Sequence, residues 1–159
     1  MELSDKDTYV SPIIHFEVLG EPQALKRHRV FRRGNHIGVY DPNKESKESF
    51  LSVAHRHAPD VPLDCPLRLI LSFYFQRPKS HYRGGKHAGQ LKPSAPTYHT
   101  GRPDTDNLIK FVADGLNGIF WCDDSLLCEV FAQKKYDERP RTIVQIVPIQ
   151  PTPGGAEYD

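Results

Sequence analysis

Residues 103 to 124 read Pro-Asp-Thr-Asp-Asn-Leu-Ile-Lys-Phe-Val-Ala-Asp-Gly-Leu-Asn-Gly-Ile-Phe-Trp-Cys-Asp-Asp. Asp104 and Asp106 stand two residues apart at an expected helix start, and Lys110 follows one helical turn after Asp106. A short apolar turn leads to a second acidic pair, Asp123 and Asp124. Carboxylates gathered this way, with no histidine beyond His99, suggest a site for a hard divalent cation such as Mg²⁺. Each residue also has a plain structural use. Asp104 or Asp106 can serve as an N-cap, and Asp106 with Lys110 can form an i, i+4 pair contributing about 0.2 to 0.5 kcal/mol. Asp123 and Asp124 suit a turn. The conjunction strains those uses, because a helix needs one cap and four close carboxylates repel unless a cation or protons intervene.

Other chemistries fit poorly. Counting Asp104 as the first position of an EF-hand loop puts Leu108 and Ile109 where a ligand and a glycine are needed. There is no G-x-S-x-G, no P-loop lysine motif and no dinucleotide-binding glycine fingerprint. Use of Asp104-Thr105-Asp106 to hold a nucleotide-sugar diphosphate is disfavoured by the small size and the lack of a nucleotide-binding region.

The charge distribution says what such a metal would act on. The formal net charge is +1, yet residues 24 to 102 hold 15 Lys/Arg against 5 Asp/Glu, and no acidic residue lies between Asp64 and Asp104. A basic surface beside an acidic metal cluster suits a phosphodiester. The expected phosphate contacts are Lys26, Arg27, Arg29, Arg32 and Arg33, then Arg83 and Lys86, then Lys134 and Lys135. Phe31, Tyr82 or Tyr98 could stack on unpaired bases.

The elements that must position these residues follow from periodicity. Residues 13–19 alternate, with Ile14, Phe16 and Val18 on one face, and predict a strand. The basic stretch from Lys26 to Arg33 predicts a loop or irregular hairpin. Asp41-Pro42 predicts a helix opening, with Asp41 as N-cap and Phe50, Val53, Ala54 and His57 at helical spacing. Leu67 to Phe75 predicts the clearest strand, with Leu67, Leu69, Leu71, Phe73 and Phe75 on one face. Residues 77–103 contain four Pro and four Gly and show no periodicity, which predicts a long basic loop, mobile when free and ordered on nucleic acid. A second helix is predicted over 105–117, with Leu108, Ile109, Val112 and Leu116 as core face, an Asp106, Lys110, Asp114, Asn117 polar stripe, and Gly118 as its stop. Residues 126–136 and 142–149 predict two strands, antiparallel partners across a turn at 137–140.

The order β-α-β-α-β-β implies a small α/β domain over 12–149 with a mixed sheet flanked by two helices. The helices would pack on the faces of the sheet, or one against a partner subunit. Residues 1–11 and 150–159 read as flexible tails. No apolar run reaches the roughly 20 residues of a membrane helix. Three cysteines without C-x-x-C spacing suit a reducing cytoplasm.

The run from Arg102 through Asp124 resembles the signature of the RusA family of Holliday junction resolvases: P-D-x-D-N-L-x-K, a helix ending near an aromatic residue, then D-D. Phe16 to Pro22 and the basic Lys26 to Arg29 run are similar to the family's first strand and the turn after it. The resemblance implies a small homodimeric, Mg²⁺-dependent endonuclease of bacteria or their phages, with Mn²⁺ as a substitute metal and no organic cofactor. It implies that Asp104, Asp106 and Asp124 bind the metal and that Lys110 is the essential basic residue. Asp123, and Asp114 on the polar stripe, would lie next to the site. The implied substrate is a four-way DNA junction cut by paired symmetric nicks in recombination and repair. A broader flap or branched-DNA endonuclease and a non-cutting DNA-binding module are the alternatives.

Overall fold

The computed structural model describes residues 12–149, so both expected tails lie outside the described residues. The elements are β1 (Ile14–Leu19), β2 (Arg29–Arg33), β3 (His36–Tyr40), α1 (Lys44–Ala54), β4 (Leu67–Gln76), α2 (Thr105–Leu116), β5 (Leu127–Asp137) and β6 (Arg141–Pro148). The main sheet runs β1-β6-β4-β5, and β2 and β3 form a separate hairpin. The strands of the main sheet and the two helices thus follow the expected order, and the basic stretch resolves as an extended segment at 26–28 that leads into the hairpin from Arg29.

Strand β4 takes the centre because its alternation buries one whole face: Leu67, Leu69, Leu71, Phe73 and Phe75 are buried. Strand β5 lies parallel to β4, and a parallel neighbour needs a crossover, which α2 supplies. Strand β6 then pairs antiparallel with β4 on its other side and with β1. The expected β5–β6 pairing is therefore wrong, because β4 stands between them. Glu138 to Pro140 can bridge one intervening strand, since three residues reach about 10 Å. Arg141 Nη1 donates to Asp137 Oδ2 at 2.6 Å and to the Arg139 carbonyl at 2.8 Å, which ties this connection together.

Both helices pack on the same face of the sheet, not one on each. Phe50 and Ala54 of α1 and Leu108, Phe111, Val112 and Leu116 of α2 join the buried β4 residues with Phe16, Val144 and Ile146 in one core. Phe50 meets Phe111 edge-on at 5.6 Å. Burying each such side chain stabilises the fold by about 1.5 to 3 kcal/mol. Asn117 ends α2, and Gly118 at φ +77 turns the chain away in the left-handed region that favours glycine.

Helix α1 starts later than expected. Its N-cap residue is Asn43, not Asp41, and Pro42 precedes the helix. The reason is the completely buried Asn43 amide, which donates to the Ala24 carbonyl at 2.9 Å and accepts from the Lys26 N–H at 2.6 Å. A carboxylate accepts only, so Asp41 could not do both. Asp41 Oδ1 instead takes the Asn43 N–H at 2.8 Å. His57 lies beyond the helix in a 3₁₀ turn, where its ring stacks on Phe16 at 5.2 Å.

Residues 77–103 lack periodicity but carry defined structure. Thr97 to His99 run along the outer edge of β5: the Tyr136 N–H donates to the Thr97 carbonyl at 2.9 Å, and the His99 N–H to the Lys134 carbonyl at 3.2 Å. The His99 ring stacks on Phe75 at 4.1 Å and leans on Tyr136 at 4.9 Å. Its Nδ1 is buried without a hydrogen-bond partner among the described residues. Burial, and next the Lys134 charge, hold its pKa below the ordinary histidine value. The unfolded chain therefore takes up this proton first as pH falls. The stabilisation is complete above about pH 6.5 and declines below it, toward the depressed folded value. The thermal midpoint should drop on acidification from about pH 7 through this window, and His99→Phe should flatten the drop. Melting curves of both proteins against pH test this, and parallel curves would refute it.

Candidate active site

Asp104 is the N-cap residue of α2 by its backbone, and its carbonyl accepts the Leu108 N–H at 3.2 Å. Its side chain makes no capping hydrogen bond, so the helix does not use the carboxylate. Asp106 sits in the first turn, with Oδ2 3.6 Å from Lys110 Nζ. Both side chains are more than half exposed, and an exposed i, i+4 pair contributes only about 0.3 to 0.5 kcal/mol. The positive end of the helix dipole favours carboxylates at this position. Asp106, Lys110, Asp114 and Asn117 are all exposed, as the polar stripe requires.

This face of α2 forms one wall of a groove of about 440 Å³. Lys26, Arg27 and His28 enter from the segment before β2, and Lys47 from α1. A bond from the Leu25 N–H to the Asn107 carbonyl, at 2.9 Å, fixes that segment on α2. The Asn43 amide fixes it on α1. Asp41 lies 3.8 Å from His28 Nε2 and 3.9 Å from Lys47 Nζ. Nothing in the sequence pattern singles out His28 or Lys47; packing of α1 beside α2 brings them here.

Asp124 is held differently. The indole Nε1–H of the completely buried Trp121 donates to Asp124 Oδ1 at 2.8 Å. Backbone bonds pin Trp121 in turn: its carbonyl accepts the Gly118 N–H at 2.8 Å, and the Cys122 N–H donates to the Leu63 carbonyl at 3.0 Å. Asp123 Oδ2 accepts the Ser125 N–H at 3.1 Å and caps the 3₁₀ turn at 124–126. That hydrogen bonding to Ser125 lowers its pKa below the ordinary carboxylate value. Asp123 thus serves the turn, while Asp124 has its carboxylate oriented from the core. Trp121→Phe removes the donor. Should Asp124 bind the metal that the resemblance implies, loss of such a partner costs about 10- to 100-fold in metal affinity or activity, and nuclease activity falls by about that factor. A loss no larger than that of another core truncation of equal destabilisation would count against an orienting role.

The two acidic groups stand at opposite ends of α2. Twelve residues of helix separate Asp104 from Leu116, about 18 Å at 1.5 Å per residue. A second ruler agrees. Lys134 reaches the carbonyls of Gly101 and Pro103, seven residues along β5 from Leu127, and seven residues of strand span roughly 23 Å. Among the described residues no three His, Cys, Asp or Glu side chains converge to hold a metal ion. Asp106 is brought against Lys110, with Asp104 two residues before it at the helix start, whereas Asp123 and Asp124 lie beyond the other end of α2, so the four carboxylates form no single close cluster among the described residues. The oxygens are nonetheless of the right kind for a hard divalent cation. Asp104 makes no hydrogen bond through its side chain among the described residues, and Asp124 uses only Oδ1.

The expected DNA contacts separate into groups. Arg29, Arg32 and Arg33 lie on the β2–β3 hairpin, whose strands pair with each other and stand outside the main sheet. Every residue of β2 is exposed, including Phe31. A Cβ added at Gly38 would come within 2.4 Å of the Phe31 ring, so the ring crosses the hairpin only because Gly38 has no side chain. Arg83 and Lys86 are exposed in the 77–103 segment. Lys135 lies over the Tyr98 ring at 5.5 Å. Lys134 is turned inward, its Nζ 2.6 Å from the carbonyl oxygens of both Gly101 and Pro103.

Residues 20–147 match the family model described as endodeoxyribonuclease RusA. A protein of Bacillus subtilis (strain 168), named uncharacterized protein YqaN, is 34% identical over 140 residues. The match covers 84% of this chain and 94% of that protein.

Proposed function

The chain belongs to the RusA endodeoxyribonuclease family, and on that premise we propose that it is a Mg²⁺-dependent enzyme resolving four-way DNA junctions by paired symmetric nicks. Mn²⁺ would substitute. The setting we propose is recombination and repair in the cytoplasm of a bacterium, encoded by host or phage. The observation that carries the assignment of the site is the Asp104 carboxylate. It occupies the cap position yet does not cap, and it stands two residues before Asp106, which pairs with Lys110 in the wall of a basic groove.

Asp104 and Asp106 would hold the metal from one chain, and Asp124 of a second copy would complete the site. One chain cannot bring Asp124 to Asp104, because a straight helix lies between them. A twofold dimer that sets the start of α2 in one copy against Asp124 in the other makes two equivalent sites.

Mg²⁺ at these carboxylates would supply an activated water and polarise the phosphate. Lys110, one turn past Asp106, would place its ammonium against the charge developing on the phosphate oxygens. Trp121 would keep Asp124 turned toward the ion. Lys26, Arg27 and Lys47 would hold the backbone of the scissile strand in the groove, and Arg29, Arg32 and Arg33 would grip an adjoining arm through the hairpin. Such contacts position DNA by its phosphates, which suits recognition of a branch and not of a sequence.

The test is incubation of the purified protein with a four-way junction and Mg²⁺ or Mn²⁺, with nicks mapped on all strands. Symmetric nicks on opposing strands are expected. Cutting of flaps or forks with no preference for junctions would favour the broader branched-DNA nuclease. Tight junction binding without cutting, across about pH 6 to 9, would leave a binding module.

A further inference from the structure

We propose that Lys134 is a positioning residue for Asp104 and not a DNA contact; the inference rests on the site assigned to Asp104 above. Lys134 Nζ donates to the Gly101 carbonyl and to the Pro103 carbonyl, each at 2.6 Å. Pro103 immediately precedes Asp104. Two charge-assisted bonds therefore grip the chain on both sides of Arg102, one residue before the carboxylate.

The grip comes from a rigid support. Lys134 stands in β5 opposite Phe73 of the central strand, whose side chain is buried. The same stretch of β5 also holds Thr97 and His99 through backbone bonds, and the His99 ring is wedged on Phe75. The chain entering α2 is thus fastened to β5 at residues 97, 99, 101 and 103. Asp104 needs this support, because its own side chain is tied to nothing in the helix it caps. Its position comes from its backbone, and a displacement of about 1 Å in a metal-binding or reacting group can cost about 100-fold in rate. An ammonium has three donors, and two of these are committed to carbonyls, which leaves little for a phosphate.

Lys134→Met removes the donors and keeps much of the stem. Three measurements on the full chain decide the matter. Amide hydrogen exchange over 97–104 should accelerate by about tenfold or more, with the rest of the protein unchanged. The Mg²⁺ concentration for half-maximal cleavage should rise by about tenfold. Junction affinity in EDTA and its salt dependence should stay as in the wild type. Lys134→Arg, which keeps donors, should recover protection over 97–104. A phosphate contact would behave in the opposite way. Junction affinity would fall, the salt slope would shrink by about one, and exchange over 97–104 would not change; that result overturns the proposal. Should Lys134→Met lack a cooperative melt, Lys134→Gln replaces it. Partial deprotection confined to 97–104 is then expected, and unaltered protection overturns the proposal. If the wild type cuts no DNA, the proposed function fails, yet the exchange measurement still decides whether Lys134 clamps the approach to Asp104.

Discussion

Mixing two inactive variants should restore cutting. Asp106→Asn and Asp124→Asn are each expected to be inactive as homodimers, since every site would lack one metal-binding carboxylate. In a mixed dimer one site carries both lesions and the other carries neither. Random reassortment makes half of the dimers mixed, so about a quarter of the wild-type number of sites is expected to be intact. The readout is single-strand nicking, because a mixed dimer can cut only one strand of a junction. The expectation follows from the length of α2, which puts about 18 Å of helix between Asp104 and the turn that leads to Asp124 within a chain. Absence of recovery, with subunit exchange verified by differently tagged chains, would show that each chain builds its site alone. The helix would then have to rearrange for catalysis.

Asp106→Asn by itself should lower cleavage by at least about 100-fold, the loss seen when a single charge-stabilising group is removed from a reacting centre. Folding should hardly respond. Asp106 is mostly exposed and its only ion pair among the described residues is with Lys110 one turn away, an interaction near 0.3 to 0.5 kcal/mol. Junction binding in EDTA should persist or tighten slightly, since one negative charge leaves a groove lined by Lys26, Arg27 and Lys47. A cleavage assay, a melting curve and a binding titration on the same preparation separate the possibilities. A variant that loses its melting transition together with its activity would reduce Asp106 to a structural helix residue. Retention of full cleavage would remove it from the site.

Much of the fold is readable where side chains repeat with a single period. The alternation from Leu67 to Phe75 marks the central strand because a pleated strand buries every second residue. The Leu108, Val112, Leu116 stripe and Gly118 mark α2 and its end for the same kind of local reason. Pairing is not local. Whether β6 lies beside β5 or beside β4 depends on which neighbours bury β4 on both edges, and the short 137–140 turn suits either arrangement. The cap of α1 shifted from Asp41 to Asn43 because the amide must serve Ala24 and Lys26, about twenty residues back in the chain.

The same division runs through the site. Sequence alone determined the types of group: Asp104, Asp106, Lys110 and Asp124 at a spacing specific enough to identify the family. It also determined the excess of basic over acidic residues in 24–102, since local charge content depends on composition and not on conformation. Tertiary structure decided which of these groups meet. Asp106 and Lys110 meet because one helical turn joins them, while Asp124 is carried to the far end of α2 by a rod that cannot bend back on itself. It also decided that Lys134 faces inward, a matter of which carbonyls the long 77–103 segment brings against β5. Short-range spacing is written in the chain, but distances between elements depend on how they pack, and packing is settled by the whole core at once.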